Sequence, residues 1–160
     1  MTTRDKTKRI YAGGVAIGGG APVSVQSMCC TKTQDVDATL RQISALAAAG
    51  CDIVRLAVPD MDAARAISAI KERSPLPIVA DIHFDYKLAI EAAQRGADKI
   101  RINPGNIGGP DKVAAVAREC SLHNTPIRIG VNGGSLEKPL LAKYGHPTAE
   151  AMLESAKGHI

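Results

Sequence analysis

The 160 residues include 45% apolar and 22% charged side chains, with a formal net charge of +4. This is the composition of one soluble globular domain with a real core, too short for two ordinary ones. No apolar run approaches the ~20 residues that span a bilayer, and the basic start "MTTRDKTKRI" lacks the apolar stretch of a secretory signal. We therefore expect a cytoplasmic protein that uses no membrane. The excess of Lys and Arg over Asp and Glu, 20 against 16, hints at an anionic partner. No basic stripe interleaved with aromatics accompanies it, which argues against nucleic acid.

With no Trp and Phe84 the single Phe, the core must be aliphatic, which suits helices packed on a parallel sheet. The glycine-punctuated "RIYAGGVAIGGGAP" reads as a small hairpin within an N-terminal extension over 1–22. "VSVQSM" (Val23 to Met28) reads as a first strand. Val36, Leu40, Ile43 and Ala47 then mark one face of a helix, with Asp35 as N-cap and Gly50 as stop. "DIVRLAV" (Asp52 to Val58) is a second strand, and its helix runs from about Asp60 to Arg73 with Ala63, Ala66, Ile67 and Ile70 inward. "PIVADIH" (Pro77 to His83) is a third strand, followed by the helical "DYKLAIEAAQRG". "KIRIN" is a fourth, and Pro110 stands near the first position of the helix after it. "PIRIGVN" (Pro126 to Asn132) is a fifth, and a last helix, "TAEAMLESAK", follows Pro147.

Strands alternating with helices imply βαβ units and a parallel sheet. The fold class expected over 23–160 is thus α/β. Five units make either a complete doubly wound sheet or the first part of a TIM barrel. No G-x-G-x-x-G and no Walker A lysine motif follows any strand, which counts against a nucleotide-binding Rossmann domain.

Every strand delivers polar groups near its C-terminal end, on the rim where such sheets bind ligands. Strand one ends with Gln26 and Ser27, strand two carries Arg55, and strand three carries Asp81 and His83. Strand four carries Arg101 and Asn103, and strand five carries Arg128 and Asn132. Three arginines in one mouth repel one another unless an anion sits between them, and a guanidinium fork matches phosphate oxygens. The turns "NPGNIGG" and "NGGS" can add backbone N–H groups. Together these features predict a ligand with more than one phosphate. Taken singly the same residues have plainer roles. Arg55 could pair with Asp52 or Asp81, His83 could be a hydrogen-bonded rim histidine, and Asn106 and Asn132 could stabilise turns. Arg65, Lys71 and Lys112 read as solvated helix faces.

Cys29, Cys30, Cys51 and Cys120 form no C-x-x-C pair, and adjacent cysteines are poorly placed for a strain-free disulfide. Cys120 falls with Val113, Val116 and Ala117 on one helical face. All four read as reduced thiols, and no metal site is expected in this chain.

"VQSM", "DIVRLAVPDMDAA", "PIVADIHFDYKLAI", "IRINPGNIG" and "PIRIGVNGGSLEK" together closely resemble the 4-hydroxy-3-methylbut-2-enyl diphosphate synthases, from about Arg9 onward. The resemblance implies a TIM-barrel domain in an iron-sulfur oxidoreductase of isoprenoid synthesis. That family opens 2-C-methyl-D-erythritol 2,4-cyclodiphosphate reductively to a linear allylic diphosphate, with loss of water. Electrons come from flavodoxin or ferredoxin through a 4Fe-4S cluster, and the family works as a homodimer. By motif, Arg55, Arg101, Arg128 and Asn132 match its diphosphate ligands, and Asp81 and Asn103 match polar pocket residues. His83 is a further pocket candidate. "QSMCC" departs from the family's usual "QSMT" and sets Cys29 and Cys30 near the barrel mouth. The cluster ligands of the family lie in a separate C-terminal domain, so the resemblance places them, with the remaining barrel strands, outside these residues. The chain alone is then expected to be inactive. Two other readings stand beside it: a non-catalytic anion-binding segment, and a pterin-binding TIM barrel of the dihydropteroate synthase type.

Overall fold

A computed structural model describes residues 3–160. A hairpin of β1 (Ile10–Ala12) and β2 (Val15–Ile17) comes first. Its antiparallel register pairs Ala12 with Val15 across a Gly13–Gly14 turn, where Gly13 adopts φ +55°. Then come β3 (Gln26–Met28), α1 (Val36–Ala48), β4 (Ile53–Ala57), α2 (Met61–Arg73), β5 (Ile78–Ile82) and α3 (Tyr86–Gln94). They are followed by β6 (Lys99–Ile102), α4 (Pro104–Ile107), α5 (Pro110–Leu122), β7 (Ile127–Ile129), α6 (Lys138–Tyr144) and α7 (Ala149–Gly158).

β3 to β7 form one parallel sheet in strict chain order. A doubly wound sheet reverses its strand order at a switch point. This one never reverses, so the units wind in one direction, as in a TIM barrel. α1, α2, α3 and α7 start where a short polar side chain satisfies a free backbone amide, whereas α5 and α6 have no side-chain cap. Asp35 accepts from Ala38 N at 3.0 Å, Asp60 from Ala63 N at 2.8 Å, Asp85 from Lys87 N at 2.9 Å and Thr148 from Ala151 N at 3.1 Å.

The period of two along each strand separates two chemistries. Val54, Leu56, Ile78, Ala80, Ile82, Ile100 and Ile102 face the helices and are buried with Ile43, Ile67, Ile70, Leu88 and Val116. The alternate residues face inward. At the N-terminal ends of β4 and β5 these are Ile53 and Val79, which Val15 and Ile17 of the hairpin cover. The hairpin therefore plugs the end opposite the strand C-termini.

Several boundaries differ from those the sequence suggests. The first strand begins at Gln26, because the amide of Val25 donates to Asp52 Oδ2 at 2.7 Å instead of to a ladder partner, and Val23 and Val25 are exposed. Asn103 caps the short helix α4, which together with α6 had no signal in the apolar periodicity. Val113, Val116 and Cys120 do share a packed face, but Ala117 is exposed, since it falls one step round the helix from that stripe. Lys71 is not simply solvated: its ammonium lies 2.7 Å from Asp98, whose Oδ2 also accepts from Ile78 N. No helix among the described residues is long and apolar enough to cross a membrane.

Ile67 is fully buried where α2 meets β5 and α3. Ile67→Ala should cost about 2–5 kcal/mol, the usual range for emptying such a site, measured as a lower urea midpoint with an unchanged slope.

Candidate functional site

The inward row of β4 to β7 is polar above its apolar floor. It carries Arg55 on β4, Asp81 on β5, Lys99 and Arg101 on β6 and Arg128 on β7. The ladder sets Asp81 beside Arg101, and Arg101 beside Arg128. Past the strand ends the same alternation continues through His83, Asn103, Gly130 and Asn132.

Asp81 is the centre of this row. All five residues of β5 are buried, and the Asp81 side chain has no exposure at all. Arg55 Nη2 approaches its Oδ2 at 3.0 Å and Arg101 Nη1 donates to its Oδ1 at 3.2 Å, while His83 Nε2 stands 3.7 Å from Oδ2. The Arg55 contact supplies attraction without hydrogen-bond alignment, so Asp81 Oδ2 and Arg55 Nε remain buried without a hydrogen-bond partner. Of the two partners that Arg55 could have by sequence, the structure selects Asp81. Asp52 serves the backbone of β3 instead.

The remaining cations of the row face no carboxylate among the described residues. Arg128 is exposed, and Lys99 is nearly buried. Burial, and secondarily Arg128, pulls the Lys99 ammonium below the usual lysine range. Four cations therefore share one carboxylate. Such a row repels itself when empty and attracts multiply charged anions.

The two asparagines are committed to the rim. Asn103 is buried, accepts from Gly105 N at 3.2 Å and donates through Nδ2 to Ser135 Oγ at 2.8 Å. Asn132 is exposed and accepts from Gly134 N at 3.0 Å, and its carbonyl accepts from Ser135 Oγ at 3.3 Å. The turns after β6 and β7 are thus tied together through Ser135. Gly105 allows the approach: a Cβ there would stand 2.2 Å from the Ser135 carbonyl oxygen. Ser135, Gly105 and Lys99 had not stood out as site residues in the sequence. The glycines of "NPGN" and "NGGS" were the one visible signal, and nothing showed that the two turns touch.

Cys29 faces the helices, where it is buried with Leu40 and Ile43, so only Cys30 is exposed near the mouth. Burial, aided by Cys30 and Cys51, pushes the Cys29 thiol up to about 11, and burial beside Glu119 does the same to Cys120. The described residues hold no group of three or more His, Cys, Asp or Glu that could bind a metal ion. The cleft bordered by Asp37, Leu40, Arg41, Ser44 and Arg73 lies on the outer helices and shares no residue with the polar row.

A profile of the GcpE TIM-barrel domain matches residues 7–160. The chain belongs to the GcpE TIM-barrel family. Two curated relatives, from Geobacter sulfurreducens and Maridesulfovibrio salexigens, are named 4-hydroxy-3-methylbut-2-en-1-yl diphosphate synthase (flavodoxin). The first is 63% identical over 155 residues and the second 59% identical over 160. The chain aligns over 97% and 100% of its own length, but over only 44% and 45% of theirs. It spans somewhat less than half of these relatives. Among solved structures, dihydropteroate synthase from Stenotrophomonas maltophilia matches with a TM-score of 0.58 at 16% identity, covering 86% of this chain and 56% of its own. The enzyme of that kind from Vibrio fischeri gives 0.54, also at 16% identity, over 76% and 49%. Likeness at that identity concerns the fold alone.

Three outcomes follow from this arrangement. Gly105→Ala should destabilise by at least about 1 kcal/mol through overpacking, seen as a lower melting temperature, because the neighbour that must yield is backbone. At pH 8 a thiol reagent should label Cys30 rapidly and the other three only in denaturant. The two raised thiols favour the folded state below the ordinary cysteine pKa of about 8.5. That contribution fades as pH rises through 11, so alkaline stability should fall over this window.

Proposed function

We propose that this chain is the substrate-binding barrel portion of a 4-hydroxy-3-methylbut-2-en-1-yl diphosphate synthase and that the inward row of β4 to β7 grips the diphosphate of a cyclic substrate. The observation that carries this reading is the charge imbalance. Arg55, Lys99, Arg101 and Arg128 share a single buried carboxylate, and Arg55 Nε is buried without a hydrogen-bond acceptor. Guanidiniums at such spacing suit phosphate oxygens, which accept paired N–H groups. A pterin is uncharged by comparison and would leave most of these cations uncompensated.

In this reading Arg101 and Arg128 hold phosphate oxygens, and Arg55 adds a third cation from the other side of Asp81. Asn132 contributes from the β7 rim. Asp81 fixes the direction of Arg55 and Arg101, and His83 and Asn103 border the pocket. The names of the relatives further support a flavodoxin-dependent enzyme. For the whole protein we infer the conversion of 2-C-methyl-D-erythritol 2,4-cyclodiphosphate, electron delivery by flavodoxin or ferredoxin, a 4Fe-4S cluster and a homodimer. The four cysteines here do not fit such a cluster: three are buried, two of these have raised thiols, and none belongs to a ligand group. We place its ligands elsewhere in the polypeptide.

Calorimetric titration of the full chain with the cyclic diphosphate tests the reading. Binding should fall by about tenfold or more in Arg101→Ala, the loss of one charge-assisted pair, and should weaken with added salt. A folded wild-type chain that takes up no diphosphate would overturn it.

A further inference from the structure

Gly130 is a glycine that its backbone does not require. Its φ lies outside the left-handed region, unlike that of Gly50 (+87°) or Gly145 (+76°), and its amide donates to Ile102 O at 2.8 Å, continuing the ladder beyond β7. Any residue could adopt this conformation. What glycine supplies here is space. A Cβ at position 130 would stand 2.5 Å from Arg101 Nε, 2.7 Å from Nη2 and 2.9 Å from Cζ.

Those atoms are one particular edge of the guanidinium. Arg101 uses Nη1 for Asp81, at 3.2 Å, on the neighbouring strand β5. Nε and Nη2 carry the parallel N–H pair that makes a bidentate fork, and neither has a partner among the described residues. The carboxylate on one side and the bare glycine on the other thus orient Arg101 with its fork clear of side chains among the described residues. Arg128, two residues before Gly130, brings a second cation to the same strand, directly beside Arg101 in the ladder.

We propose that Gly130 is a positioning residue that keeps the Nε–Nη2 edge of Arg101 open, so that this arginine takes two oxygens of one phosphate group at once. The inference rests on the diphosphate-binding reading above and adds which edge binds and what keeps it free. A methyl group at 130 blocks that edge, while the Nη1 bond to Asp81 can persist. The obstructed atoms are the tip of a flexible side chain, so the substitution should disturb recognition more than folding.

The test is titration of the full chain with inorganic pyrophosphate, using wild type, Gly130→Ala, Arg101→Ala and the double variant. Gly130→Ala should bind about tenfold more weakly, the scale of one lost charge-assisted hydrogen bond, with its melting temperature close to that of wild type. In the Arg101→Ala background the same change should cost nothing further, because the two residues act through one guanidinium. Equal binding by wild type and Gly130→Ala would overturn the inference, as would additive losses in the double variant. Should Gly130→Ala fail to fold, Arg101→Lys, which keeps the charge without the fork, should show the same tenfold loss. Undiminished binding by that variant would overturn the inference. Absence of binding by folded wild type would instead overturn the diphosphate reading on which this one rests.

Discussion

A carboxylate with no solvent contact governs the inner face of this sheet. β5 is covered on both sides, so Asp81 loses its hydration entirely. A bare charge there would cost several kcal/mol and must be compensated locally. Arg55 and Arg101 do this from the strands on either side, because the register places one diagonally below Asp81 and the other directly beside it. Two cations on one anion reverse the problem. The pair of arginines is anchored, yet the row as a whole is positive, and Lys99 and Arg128 make it more so. Structural compensation and attraction for an outside anion thus arise from one arrangement. The two plain alternatives for the arginines, internal ion pair or ligand contact, are not exclusive.

Absent side chains shape the rim as much as present ones. Gly105 and Gly130 both lie outside the left-handed region, and each faces a group that a Cβ would strike. At Gly105 that group is backbone, so the glycine brings the β7 turn onto the β6 turn and lets Ser135 reach Asn103. At Gly130 it is a guanidinium, so the glycine controls where a charge points. The first contact concerns stability and the second concerns recognition, although both glycines look alike in a sequence.

The parallel sheet, its helices and their caps were legible because each rests on local rules. Asp35 caps as its position suggests, and the alternation of Val54, Arg55 and Leu56 alone assigns one face to the core and the other to the site. The parity of Arg55, Asp81, Arg101 and Arg128 likewise follows from a period of two. What was not legible depends on register between strands. Which carboxylate Arg55 meets, whether Cys29 points to the mouth or to the helices, and whether Asn103 is free or tied to Ser135 are contacts across 11 to 32 residues of chain. α4 and α6 escaped because helices of four and seven residues are too short to show an apolar period.

The dihydropteroate synthases share this winding at 16% identity, so the fold does not choose between ligands. The choice must lie in side chains that the fold merely carries. Here the helix-facing half of each strand is aliphatic surface, and apolar exchanges that conserve its volume would support the same sheet. The inward half is not interchangeable. Exchanging Arg101 for an apolar residue would leave Asp81 half-compensated, and exchanging Asp81 would release two guanidiniums against each other. The charges of the row therefore constrain one another whether or not a ligand is bound. That mutual dependence ties the stability of this barrel portion to the chemistry of what it can hold.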